Sequence, residues 1–274
     1  MKKAKGFPDK NKFVLICCTM AMVVISCSDA NERSGDDNPP QGIQNKMEQP
    51  QQTNADGKNG STARFTVLHD KLYAVSGGGL AVFDLASPEK PSRSGFSAVS
   101  SDIETLFNDG ERLFIGAESA LYIYSIDDPN KPSRVGQYGH IKSCNPVVTS
   151  GTNAFVTLRS DRRTCDGKEN NLVVIDVKNP EKPVKISSVP MNSPAGLGIL
   201  DTRLFVCDDG QGLKEFNVSD TKAVKETATV KDEICFDVIP LKNTLITTGA
   251  DAISQYDISE AKLTRISRIE IEKY

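Results

Sequence analysis

GLAVFDL (79–85), ALYIYSI (120–126), NLVVIDV (171–177), GLKEFNV (212–218) and AISQYDI (252–258) are five versions of one segment. The second position reads Leu80, Leu121, Leu172, Leu213 and Ile253, and the fifth reads Phe83, Tyr124, Ile175, Phe216 and Tyr256. The sixth is polar each time: Asp84, Ser125, Asp176, Asn217 and Asp257. Steps along the second position are 41, 51, 41 and 40 residues. A further apolar column, Leu72, Leu113, Ala154, Leu204 and Leu245, lies eight or nine residues upstream in four units and eighteen upstream of Leu172. The extra ten residues therefore fall between Thr157 and Asn171, as a loop insertion in a regular array. A fixed period of this size is the signature of a repeat architecture.

Each unit holds four short apolar runs. In the second they are Ile103–Phe107, Arg112–Gly116, Ala120–Ile126 and Ser133–Tyr138, with Asn108-Asp109-Gly110 as a hairpin signal between the first two. No run reaches helical length, and β-branched and aromatic residues dominate. The third run is apolar on both faces, so it is covered on both sides. Four strands in about 41 residues, five times over, predicts an all-β fold: a five-bladed β-propeller of four-stranded antiparallel blades over 64–274. The first unit begins near Phe65 with an innermost strand and the last ends near Tyr274 with an outer one, so no strand is exchanged at closure. Closure is then expected to rest on blade one packing against blade five. An open or sandwiched all-β array is the alternative. The polar column reads as a structural device, because an Asp or Asn ending a strand accepts N–H bonds from the following turn.

GLAVFDLASPEKP, ALYIYSIDDPNKP and NLVVIDVKNPEKP resemble the LVIVD repeat of bacterial and archaeal surface proteins, over roughly residues 65–274. The resemblance implies a β-propeller and carries no settled activity. In the fourth and fifth units SDTKAV and SEAKLT replace the proline-bearing turn.

The N-terminus reads as an export signal. Lys2, Lys3, Lys5, Lys10 and Lys12 precede an apolar run from Phe13 to Ile25, too short to span a bilayer. Val24-Ile25-Ser26-Cys27 resembles the lipobox of bacterial lipoproteins, which implies cleavage after residue 26 and acylation of Cys27. Residues 1–26 are then the signal peptide. Its loss removes five of the 33 basic residues and one of the 36 acidic ones, leaving 28 and 35. Residues 27–63 are rich in Asn, Gln, Asp, Gly and Pro and predict a disordered tether. Asp29, Glu32, Asp36 and Asp37 near Cys27 resemble the surface-export tag of Bacteroidetes lipoproteins. The address implied is the cell envelope, on an outer-membrane lipoprotein that faces either the surface or the periplasm.

The near balance of charge gives no field to gather nucleic acid. Two histidines and no tryptophan leave little for histidine catalysis or a histidine-rich metal site. No cofactor is expected. No G-x-S-x-G elbow, H-E-x-x-H or phosphate-binding loop occurs. His69 falls in the first hairpin turn, on the face opposite His140, and the pairs Asp127-Asp128 and Asp208-Asp209 fall in turns of different blades.

Function is expected on the face where blade connectors and the loops between second and third strands emerge together. Cys144 sits in a connector and Cys165 in the insertion of the same blade, which predicts a disulfide Cys144–Cys165 closing about twenty residues and contributing about 3 kcal/mol. Cys207 and Cys235 are left either bonded or as buried thiols. The same face is expected to present Asp102, His140, Lys142, Asp232 and Glu233, with Arg159, Arg162 and Arg163 from the insertion. Arginines in a pinned loop suit a carboxylate, a phosphate or an acidic surface. Together these readings describe a membrane-anchored binding or scaffold module for a protein or glycan partner. The alternative is a propeller hydrolase or lyase acting on a sugar or lactone in the central funnel, and assistance in outer-membrane protein assembly also fits the address.

Overall fold

The structure, a computed structural model, describes residues 60–139, 146–160 and 169–272. Twenty strands form five four-stranded sheets, each made of consecutive antiparallel strands. Blade 1 is β1 (Phe65–Leu68), β2 (Lys71–Ser76), β3 (Gly79–Asp84) and β4 (Ser92–Ala98). Blade 2 is β5 (Ile103–Asn108), β6 (Arg112–Ala117), β7 (Ala120–Ser125) and β8 (Ser133–Gly139). Blade 3 is β9 (Val147–Ser150), β10 (Asn153–Leu158), β11 (Asn171–Asp176) and β12 (Val184–Pro190). Blade 4 is β13 (Pro194–Leu200), β14 (Arg203–Asp208), β15 (Gly212–Asn217) and β16 (Lys225–Val230). Blade 5 is β17 (Asp237–Pro240), β18 (Thr244–Thr248), β19 (Ala252–Asp257) and β20 (Thr264–Glu270). This is a five-bladed β-propeller, and among the described residues no strand passes from one blade to another.

Local chemistry sets the elements. The second and third strands of blades 2 to 4 are buried almost throughout, as runs apolar on both faces require, whereas the fourth strands are largely exposed. β20 carries Arg265, Arg268 and Glu270 on its outer edge, where charge discourages edge-to-edge pairing. The polar column behaves as expected in all five blades. Asp84 accepts from the Ala86 N–H (2.8 Å), Ser125 from Asp127 (3.0 Å), Asp176 from Lys178 (2.8 Å), Asn217 from Ser219 (2.9 Å) and Asp257 from Ser259 (2.8 Å). Each blade also shifts register between its third and fourth strands one residue before that column's aromatic or aliphatic neighbour, as at Val82/Phe83 and Ile123/Tyr124. A bulge there adds twist to every blade at the same place. The first hairpin turns through His69 and Asp70, both at positive φ (50° and 57°), as a two-residue turn matching strand twist requires.

Buried apolar clusters join the blades. One links Tyr73, Leu80 and Val82 of blade 1 to Leu106, Leu113 and Ile115 of blade 2. A second runs through blades 2, 3 and 4, and a third links Phe205 and Leu213 of blade 4 to Val238, Leu245 and Tyr256 of blade 5. Arg112 and Arg203 add a polar tie, donating to the carbonyls of Val177 and Ile258 in the next blade.

Two expectations need correction. Among the described residues no such cluster joins blade 5 to blade 1, and Phe65 and Val67 of β1 are 54% and 51% exposed, so closure does not rest on that packing. The last residues assigned to the tether also belong to the domain. Gly60 and Ser61 are buried, and the segment bonds to three blades. Ser61 Oγ donates to Asp237 Oδ1 (3.1 Å) and accepts from the Leu197 N–H (2.7 Å); Thr62 Oγ1 donates to Asp237 Oδ2 (2.6 Å); the Ala63 carbonyl accepts from Leu106 N–H (2.8 Å). The segment thus lies against the innermost strands β5, β13 and β17. A polar stretch that reads as tether is here ordered by one buried carboxylate. The expected signal peptide 1–26, Cys27, and the expected tether through residue 59 lie outside the described residues.

Candidate functional site

The connectors and the loops between second and third strands meet on one face. Val99 and Ser100 N–H donate to Gly78 O, Glu118 N–H to Asp102 O, Met191 N–H to Asn170 O and Asp209 N–H to Ser193 O. Side-chain carboxylates fasten connectors to the blade beside them. Asp102 accepts from Ser100 Oγ and from Ser119 Oγ (3.2 Å). Burial opposes ionisation of Asp102, but the hydrogen bonds from Ser100, its own N–H and Ser119 outweigh it and hold the carboxyl below its ordinary range.

Asp208 does the same for the next connector but one. It accepts from Ser193 N–H (2.7 Å) and Asn192 N–H (3.1 Å) and is ion-paired to Lys214 (2.9 Å), fully shielded from water. Sequence reasoning placed it in a turn and missed this role. Its signal was the strand register, since Asp208 closes the β14 ladder opposite Gly212.

The connector Lys231–Phe236 is the most heavily secured. Glu233 was expected on the ligand face, but it is only 2% exposed. Its carboxylate accepts from Thr247 Oγ1 (2.6 Å), Tyr256 OH (2.6 Å) and Ser254 Oγ (3.2 Å), with Arg265 and Arg268 at 3.6 and 3.8 Å. Three hydroxyls and two guanidinium groups compensate a charge taken out of water, the condition under which burial is tolerated. Burial, with the bond to Glu233 and its charge behind it, pushes the Tyr256 phenol well above its ordinary value. Two residues on, Cys235 is disulfide-bonded to Cys207 of β14. With Glu233 and Cys235 both turned inward, the alternating residues face out: Ile234 is 60% exposed and Phe236 50%. Asp232 stays on the surface and pairs with Arg265 at 3.0 Å, a bond that holds the guanidinium's pKa above its ordinary value. Arg159 lies 3.9 Å from Asp209 of the neighbouring blade.

Of the remaining candidates, His140, Lys142, Arg162, Arg163 and the pair Cys144 and Cys165 lie outside the described residues. Among the described residues no three His, Cys, Asp or Glu side chains are grouped to hold a metal ion.

At the innermost strands, Asp237 accepts from Ser61, from the N–H and hydroxyl of Thr62 and from the Val238 N–H (2.9 Å). Burial raises its pKa, and these bonds offset only part of the rise. The carboxylate fits because two glycines leave room: a Cβ on Gly60 or on Gly196 would stand 2.2 Å from its oxygens.

A scan against protein-family models finds no match, and a search of curated proteins finds none. Among solved structures the chain is similar to a putative 6-phosphogluconolactonase from Bacteroides fragilis, at 12% identity and TM-score 0.60, over 76% of this chain and 70% of that one. It is similar to a periplasmic gluconolactonase from Pseudomonas aeruginosa, at 12% identity and TM-score 0.58, over 76% and 69%. BamB from Moraxella catarrhalis matches at 12% identity and TM-score 0.50, over 76% and 63%. At these identities the likeness is one of fold.

Proposed function

We propose that the protein is a lipid-anchored β-propeller of the cell envelope that binds a macromolecular partner, protein or glycan, through its connector face. The observation that carries the binding half is the connector Lys231–Phe236. A disulfide and a buried carboxylate with five partners hold it, so Ile234 and Phe236 are fixed in an outward position before any partner arrives. Large apolar side chains held rigid in this way supply contact area at little entropic cost, which is how interface anchors work.

The address rests on the lipobox-like Val24–Cys27 and the Asn/Gln/Asp-rich stretch after it. A catalytic reading in the funnel has less support. Glu233 is committed to the fold, Asp102 fastens a connector, and Gly60–Ala63 lies along the inner strands.

The test joins address to binding. Protease shaving of intact cells, with wild type beside Cys27→Ala, reports whether the domain is retained on the membrane by that cysteine and which side it faces. Quantitative affinity capture from the same cells compares wild type with Ile234→Asp/Phe236→Asp. The expected result is at least a tenfold loss of captured partner at an unchanged melting temperature. Capture indifferent to both substitutions contradicts the binding face, and membrane retention of Cys27→Ala contradicts the anchor.

A further inference from the structure

The repeat allows each blade to be compared with its own equivalents. The face turned to the preceding blade carries the columns Leu72/Leu113/Ala154/Leu204/Leu245 and Phe83/Tyr124/Ile175/Phe216/Tyr256. In blades 2 to 5 all eight residues are buried, and in blade 1 both Leu72 and Phe83 are only half-buried. The residue after the polar column repeats the pattern: Ile126, Val177, Val218 and Ile258 are buried and Leu85 is not. The face turned to the following blade carries Tyr73/Phe114/Phe155/Phe205/Ile246 and Leu80/Leu121/Leu172/Leu213/Ile253. Here blades 1 to 4 are fully buried and blade 5 is the exception, with Ile246 and Ile253 half-buried and Ile269, paired with Ile253, 64% exposed.

Among the described residues two apolar sheet faces are therefore less covered than their equivalents, and they are not alike. One is the forward half, and the other the rear half, of an interface that the molecule builds four times internally. Among the described residues no buried apolar cluster joins them to each other. The segment leading into β1 bonds to Asp237 of β17, Leu197 of β13 and Leu106 of β5, so it lies along the inner strands of blades 5, 4 and 2. Burying such faces is worth about 25 cal/mol per Å² of apolar area, and exposed apolar patches of this kind mark association surfaces.

We propose that a second copy of this chain covers them, blade 5 of one copy packing on blade 1 of the next. A second copy supplies both complementary halves with the residues that already make the four internal interfaces. The contact is heterologous, a forward face on a rear face. It is separate from the connector face, so either reading can fail without the other.

The test uses the full chain purified in detergent. Val67→Cys and Ile253→Cys are made separately, mixed, and oxidised, with products mapped by mass spectrometry. The expected product is a disulfide between copies that joins position 67 of one to position 253 of the other, formed in the mixture and absent from either protein alone. Sedimentation at tens of micromolar should give at least twice the monomer mass, returning to the monomer mass when Val67→Glu or Ile253→Glu is introduced. An intramolecular disulfide between positions 67 and 253 in the Val67→Cys/Ile253→Cys double variant would overturn the proposal, because the ring then seals itself. A monomeric wild type, or an assembly indifferent to both glutamates, overturns it as well.

Discussion

Tyr73 occupies a column that continues as Phe114, Phe155, Phe205 and Ile246, and its side chain is fully buried between blades 1 and 2. Its hydroxyl is buried without a hydrogen-bond partner, and burial raises the phenol's pKa to about 12. Removing a buried, unpaired hydroxyl recovers its desolvation cost while leaving the ring in place. Tyr73→Phe should stabilise the domain by about 1 kcal/mol, read as a rise in chemical-denaturation midpoint at unchanged slope. Asp237 gives a pH signature of definite sign. Its folded pKa lies above the ordinary value of 3.8, so its contribution is fully present below 3.8 and is lost as pH rises through the folded value. Asp237→Asn does not titrate. The melting temperature of wild type should therefore gain on that of Asp237→Asn as pH falls through the raised value toward 3.8, and the gap should be flat below. Asp84 and Asp257 shift the other way. A bond from Lys71 holds Asp84 low and one from Ser259 holds Asp257 low, so both favour the fold above the ordinary carboxylate value and lose that effect in acid.

At the scale of elements, legibility followed the range of the interaction. Strand limits in blade 2 could be read almost to the residue, because short apolar runs and the Asn/Asp/Gly turns between them are local. The polar column was legible for the same reason: each side chain bonds the N–H two residues on. The Cys207–Cys235 bond was not decidable, since it depends on how β14 lies against the connector of the following blade, a relation between blades that no local pattern encodes. Glu233 misled for a related reason. A carboxylate in a loop reads as solvated, and only the meeting of Thr247, Ser254, Tyr256 and two arginines makes burial favourable. Gly60–Ala63 reads as tether because nothing in it is apolar before Ala63, and its ordering comes from a carboxylate 175 residues away. The disulfide, at a sequence separation of 28, should contribute about 3 kcal/mol. Cys207→Ser/Cys235→Ser should lower stability by that order. It should also raise hydrogen exchange at Lys231–Phe236 ahead of the rest of blade 5, whereas a uniform rise across the blade would show that Glu233 alone fixes the connector.

At the scale of the whole molecule, repetition explains both what the sequence disclosed and what it concealed. Five equivalent units announce blades, but they say nothing of whether the last meets the first, because the residues that would seal the ring are the same ones that seal every other joint. Function is less legible still. A β-propeller carries unrelated activities on one framework, and the likeness to lactonases and to BamB extends to fold alone. The feature of this chain that bears most on binding is the pinned connector with its two outward apolar residues. The most direct measurement is photo-crosslinking in intact cells, with a photoreactive amino acid placed at Ile234, at Phe236 and, as a control on the opposite face, at His69. The account predicts discrete adducts from positions 234 and 236, lost in Cys27→Ala, and none from position 69. Equal labelling from all three, or none from the connector, would contradict it.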